Sequence, residues 1–103
     1  MKYIIVFVTV PAKNYKKVVN HVLNKKLVAC VNVIKDIQSF YWWEEKICSD
    51  KESLLIMKTT SDKFSVLVGE IKKVHPYKVP EIISLDIFKG NKEYLSWINE
   101  VLK

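Results

Sequence analysis

At 103 residues, half of them hydrophobic, the chain is long enough for a single domain, residues 1–103, and too apolar to be disordered. Its formal net charge is +6, and every basic residue is lysine; this argues against a nucleic-acid partner, because arginine supplies most bidentate contacts to bases and phosphates. The longest apolar run, Ile4 to Val8, is far too short to cross a membrane, and Met1-Lys2-Tyr3 leads into it without a small-residue cleavage pattern, so a cytoplasmic location is expected.

Tyr3 to Val10 is almost continuously apolar and β-branched, which predicts a central strand buried on both faces and stopped by Pro11. Tyr15, Val18, Val19, Val22 and Leu23 then recur at helical spacing, predicting an amphipathic helix from about Asn14 to Lys26. A second extended run covers Val28 to Ile34 and resumes from Ile37 to Trp43, with Asp36 marking a bend or bulge. Glu44-Glu45 reads as a turn, and a third strand runs from Lys46 to Thr60. Ser61 is an N-cap candidate for a helix whose apolar stripe is Phe64, Leu67, Val68, Ile71 and Val74.

His75-Pro76 ends that helix. The segment His75-Pro76-Tyr77-Lys78-Val79-Pro80-Glu81 packs a histidine, a tyrosine and a glutamate between two prolines that restrict the backbone. It is a stiff connector carrying three hydrogen-bonding or ligating side chains, between a helix and a strand where folds often display a site. Pro80 opens a fourth strand that continues from Ile82 to Phe88. Gly90-Asn91 breaks it, and Asn91 can cap a last helix carrying Tyr94, Trp97, Ile98 and Val101. The order β-α-β-β-α-β plus a terminal helix is the α+β, ferredoxin-like arrangement: one antiparallel sheet with its two long helices on the same face.

The hairpin of strands two and three is anomalous. Each strand has about fifteen residues against a usual five or six. Their far ends carry Phe40, Tyr41, Trp42 and Trp43, four consecutive aromatics that would project from so small a sheet. Burial against further copies of the chain, by edge pairing around a closed ring, is the expected solution, the alternative being that the last helix folds back over them through Trp97. The lysine pairs Lys16-Lys17, Lys25-Lys26 and Lys72-Lys73 read as a solvated basic face, with attraction for small anions or an acidic partner as the alternative. A two-residue turn at Glu44-Glu45 makes residues whose numbers add to 89 face one another, so Cys48 should face Tyr41 and Cys30 should face Thr59. The two cysteines are then far too distant for a disulfide within one chain, and they are not spaced as a CxxC metal motif.

Three functions of this architecture are rejected by the residues present. Anion hydrolysis of the acylphosphatase kind needs an arginine. RNA recognition needs exposed aromatics where the third strand has Leu54, Leu55, Ile56 and Met57. A heavy-metal transfer domain needs CxxC in the loop occupied by Val10-Pro11-Ala12-Lys13. No nucleophile–base pair or adjacent carboxylate dyad stands out, so an enzyme is not expected.

The sequence resembles the CutA proteins, the divalent-cation tolerance family. The resemblance runs through Val8-Thr9-Val10-Pro11, Leu27-Val28-Ala29-Cys30-Val31-Asn32, Tyr41-Trp42-Trp43-Glu44-Glu45-Lys46, Leu55-Ile56-Met57-Lys58-Thr59-Thr60, the His75–Glu81 connector and Gly90-Asn91-Lys92-Glu93-Tyr94-Leu95-Ser96-Trp97. It implies a homotrimer whose long hairpins pair between subunits. It also implies clefts at the subunit interfaces lined by Cys30, Trp43, Lys58, His75, Pro76, Tyr77, Pro80 and Glu81, with binding of Cu²⁺ or other divalent metals there. His75, Glu81 and Cys30 are the candidate metal ligands. Two positions at which some members carry further ligands hold Val8 and Val74, and a turn that usually reads Glu-Gly holds Glu44-Glu45. The first functional expectation is therefore a metal-responsive trimer. The alternative is a signalling trimer resembling the PII type, holding a small anion through Lys58. A third is a stable scaffold for a membrane or an unidentified protein partner.

Overall fold

A run of apolar and β-branched residues favours an extended chain, and in the computed structural model, which describes residues 2–103, Tyr3–Pro11 forms strand β1. Helix α1 (Tyr15–Asn24) follows, then strands β2 (Cys30–Trp43) and β3 (Lys46–Thr60). A 3₁₀ turn at Ser61–Lys63 leads into α2 (Phe64–Val74), and β4 (Ile82–Asp86) and α3 (Lys92–Val101) complete the chain. The strands make one antiparallel sheet in the order β2-β3-β1-β4, the ferredoxin-like arrangement.

The core lies between the sheet and the α1–α2 pair. Val6, Val8, Leu55 and Met57 point into it from the central strands, and Val18, Val22, Leu67 and Ile71 meet them from the helices. Truncating a fully buried leucine such as Leu55 to alanine costs about 2–5 kcal/mol at sites of this kind. Thr59, also fully buried, ties the end of β3 to the α1–β2 loop by donating its hydroxyl hydrogen to the Leu27 carbonyl at 2.7 Å. Between the helices, His21 Nε2 lies 2.9 Å and Lys73 Nζ 2.8 Å from the two oxygens of Glu70, with Lys25 at 3.8 Å.

Several local expectations change. β1 is fully covered on one face only; Ile5 and Phe7, on the face away from α1 and α2, are half-buried. Pro11 is the last residue of β1 rather than the first beyond it. Ser61 does not cap α2: its N–H is taken by the Lys2 carbonyl at 2.9 Å, and the chain enters the helix through the 3₁₀ turn. β4 starts at Ile82 and stops at Asp86, because Ile4 to Val8 of β1 is all the partner it has. Asn91 caps α3 as expected, accepting the Glu93 N–H at 2.9 Å.

The long hairpin has the expected two-residue turn. Glu44 and Glu45 both adopt positive φ, 49° and 63°, as a type I′ turn requires, although neither is the glycine or asparagine that enters this region readily. Cys48 faces Tyr41. Cys30, however, faces Lys58 and not Thr59. A bulge between Ile34 and Ile37, with Asp36 at φ 59°, inserts an unpaired residue and shifts the register beyond it by one. The shift puts Cys30, Lys58, Ile5 and Leu85 in one row on the face that α1 and α2 leave open.

Replacing Glu44-Glu45 with Asn-Gly removes left-handed strain and should raise unfolding stability by about 1–2 kcal/mol in denaturant titration; an unchanged or lower midpoint would contradict a strained type I′ turn. The hydrogen bonds from Lys73 and His21 hold the Glu70 carboxyl down at about 2, below its ordinary 4.5. Because the folded state lowers this value, the stabilisation is complete above about pH 4.5 and disappears as pH falls toward 2. Glu70→Gln should therefore flatten the acid limb of the stability profile in that window, and a parallel profile for both proteins would rule the cluster out as its source.

Candidate functional site

The connector after α2 is irregular yet tightly held. Pro76 prevents α2 from continuing, so His75 turns to an extended backbone (φ −85°, ψ 134°) while its N–H still donates to the Ile71 carbonyl at 2.9 Å. Its side chain enters the protein and is only 7% exposed. Nδ1 accepts the Tyr77 N–H at 3.1 Å, so the ring proton sits on Nε2, which donates to the Thr9 carbonyl at 2.8 Å. His75 thus ties the end of α2 to β1 and folds the connector back on itself. Both ring nitrogens are engaged by main-chain groups, and coordination through either would require that bond to be given up.

Tyr77 packs its ring 5.0 Å from that of His75 and sends its hydroxyl to Glu52 Oε2 at 3.1 Å. Glu52 lies on β3 where the hairpin leaves the sheet, opposite Pro11 on one side and Ile37 on the other, and is 6% exposed. One step further out, the Tyr41 hydroxyl donates to Asp50 Oδ2. Burial, followed by the charge of Glu52, pushes the Tyr77 hydroxyl up to about 12; the hydrogen bond to Asp50 pushes Tyr41 to about 12 as well. Both phenols therefore keep their protons at neutral pH and donate them to carboxylates.

These residues enclose one side of a cavity of about 710 Å³ between the hairpin and the connector. Its walls include Phe40, Tyr41, Trp43, Tyr77, Glu52 and Glu81, with Pro76 and Lys78 at the rim of the connector. Of the residues expected from the sequence, Trp43, Pro76, Tyr77 and Glu81 line this space and His75 braces it from behind. Pro80 fixes the connector just before Glu81 and does not line the cavity.

Cys30 and Lys58 stand elsewhere. They face each other across β2 and β3, and both reach Asn32: the Lys58 ammonium donates to its Oδ1, and the Cys30 thiol lies 3.9 Å from the same atom. Tyr94 of α3 joins them, its hydroxyl pKa raised by burial and then by the Cys30 charge. Ile37, opposite Glu52, is seven residues along β2 from Cys30, roughly 23 Å of strand. Among the described residues, no three of His, Cys, Asp and Glu lie close enough to hold a metal ion. The expected ligand set His75, Glu81 and Cys30 is thus not gathered within one protomer.

Tyr77 is the packed, hydrogen-bonding tyrosine that the connector's sequence leads one to expect, but its partner Glu52, Asp50 and the hydroxyl role of Tyr41 escape sequence reasoning. Glu52 sits in an alternating strand where a solvated carboxylate is the ordinary expectation; only the fold brings Tyr77 to it.

The comparisons with known proteins agree across the chain. A family model described as CutA1 divalent ion tolerance protein matches residues 4–101. "Protein CutA 1, chloroplastic" of Oryza sativa is 45% identical over 96 residues, covering 92% of this chain and 54% of the relative, so the chain spans about half that protein's length. The "Divalent-cation tolerance protein CutA" of Thermus thermophilus is 40% identical over 97 residues and is covered over 94% of its length. The solved structure of the periplasmic divalent cation tolerance protein CutA from Archaeoglobus fulgidus superposes with a TM-score of 0.94 at 38% identity, covering 98% of this chain and 99% of that one. The cytoplasmic location expected from the sequence is corrected by these relatives: one is described as periplasmic and another as chloroplastic, so nothing in this fold specifies the cytoplasm. With a family model matched from residue 4 to residue 101, and relatives and a solved backbone in agreement over nearly the whole chain, this protein belongs to the family of CutA1 divalent ion tolerance proteins.

Proposed function

We propose that the protein is a single-domain homotrimer that binds divalent cations, copper among them, in clefts between subunits and so takes part in the response to metal ions. It acts as a binding protein and not as a catalyst. The observation that carries this reading is the separation of two half-sites in one protomer. The cavity offers Glu81, Tyr77 and Trp43, whereas Cys30 and Lys58 lie apart on the open face of the sheet.

The surface around both half-sites favours association. Phe40, Trp42 and Ile47 on the hairpin are 68%, 71% and 67% exposed, and Ile83 and Leu85 stand uncovered on the open face. Apolar surface of this extent is normally removed from water by a partner. A neighbouring copy that covers the hairpin would bring its own Cys30 toward the Glu81 cavity, and a closed ring would repeat the junction at every subunit.

The donor chemistry fits copper only when the halves combine. Among the described residues, a protomer alone lacks a three-ligand set of His, Cys, Asp and Glu. Glu81 supplies a free carboxylate and Cys30 a soft sulfur, a mixture suited to copper. His75 positions Tyr77 and Thr9, and joins the coordination only by releasing the Thr9 carbonyl. An anion held through Lys58, as in PII-type signalling, has less support, because that ammonium already donates to Asn32 Oδ1 and stands outside the cavity.

Calorimetric titration with Cu²⁺ tests the reading. Glu81→Gln and Cys30→Ser should each abolish the heat of binding, while His75→Ala should weaken it less. Refolding the two inactive variants together should restore about a quarter of the sites, since random mixing pairs an intact Glu81 with a neighbour's intact Cys30 in that share of junctions. Recovery of no sites from the mixture, with each single variant inactive, would place both donors in one subunit and contradict the shared cleft.

A further inference from the structure

The cavity suits a different cation better than a bare metal ion. We propose that it binds organic cations, alkylammonium groups above all, between its aromatic walls and its two carboxylates; the inference rests on the reading of this cavity as the ligand cleft. Three aromatic side chains that share one side, Tyr41 and Trp43 of the hairpin and Tyr77 of the connector, line a space of about 710 Å³, within the roughly 300–1,000 Å³ typical of small-molecule sites. The electron-rich faces of aromatic rings attract cations, and they do so most effectively when the cation sheds its water easily. An alkylammonium is weakly hydrated and presents methyl and methylene groups to such walls. A divalent metal ion is strongly hydrated and needs several oxygen, nitrogen or sulfur donors, which the described residues of one protomer supply only with a neighbour's help.

The polar groups are arranged for the same ligand class. Glu52 is almost fully buried at the cavity floor, and among the described residues Tyr77 is its only side-chain hydrogen-bond partner. Glu81 adds a second carboxylate, and Lys78 is the one cation in the lining, so the cavity favours positive ligands. The hydroxyls of Tyr41 and Tyr77 are both committed to carboxylates, Asp50 and Glu52. A phenol that donates to a carboxylate carries a more electron-rich ring, which strengthens its attraction for a cation. Both hydroxyls are pushed above the ordinary tyrosine value, so this arrangement holds throughout the physiological range.

The test is calorimetry on the intact protein with choline and with 3,3-dimethyl-1-butanol, which has the same shape without the charge. Choline should bind at least about tenfold more tightly than the alcohol. Trp43→Leu, which keeps an apolar residue on the hairpin, should weaken choline about tenfold, and Glu52→Gln, which keeps an acceptor for Tyr77, should do the same. No choline binding, equal binding of the alcohol, or full affinity in Trp43→Leu would overturn the proposal. Copper titration of the same samples separates the two readings: a protein that takes Cu²⁺ and ignores choline overturns this inference alone. One that takes choline and ignores Cu²⁺ supports it and removes the metal reading.

Discussion

The β2–β3 hairpin has more strand edge and more aromatic surface than the rest of a protomer can cover. β3 pairs with β1 only from Glu52 to Thr60, and β4 contributes five residues on the far side. Beyond Glu52 the two hairpin strands have only each other, so their outer residues are held by one ladder and exposed on both faces. An isolated two-stranded ribbon is marginal in water, and exposed edge strands invite pairing with another chain. The cavity lies beside that unsupported length, whereas Cys30 and Lys58 lie within the sheet. The cavity forms where the ribbon leaves the sheet, its walls are the ribbon's aromatics, and its floor is the last buried residue before departure, Glu52.

The second constraint is the anchoring of the connector. A loop of seven residues with two prolines has few backbone hydrogen bonds to offer. His75 compensates by bonding main-chain groups on both sides, the Thr9 carbonyl of β1 and the Tyr77 N–H of the loop itself. Tyr77 is thereby aimed at Glu52, and the loop becomes a fixed wall instead of a mobile strap. This histidine is structural first. A lone histidine at a helix end is more often a satisfied partner than a ligand, and here the Thr9 carbonyl and the Tyr77 amide occupy both its nitrogens.

Much of the fold was legible because the relevant patterns are local. The stripe from Phe64 to Val74, the β-branched run of β1 and the Asn91 cap each occupy a few adjacent residues with one physical meaning. The bulge at Asp36 was legible too, but its effect on register required the actual pairing, and that one-residue shift moved Cys30 from Thr59 to Lys58. The site was legible in part. Tyr77, Glu81 and Trp43 announced themselves by family motif, and the cavity holds them together. Glu52 and Asp50 did not, since a glutamate or aspartate in an alternating strand reads as solvated until a tyrosine from a distant segment meets it. The grouping of His75 with Cys30 is expected of a cleft between subunits, and one protomer's residues keep the two apart.

The account stands on the hairpin being completed by other copies of the chain. Sedimentation equilibrium at micromolar concentration measures this directly. A single species of three times 12.1 kDa, roughly 36 kDa, with hairpin amides strongly protected from hydrogen exchange in the same sample, is the expected result. A stable 12.1 kDa species with freely exchanging amides beyond Glu52 would contradict it.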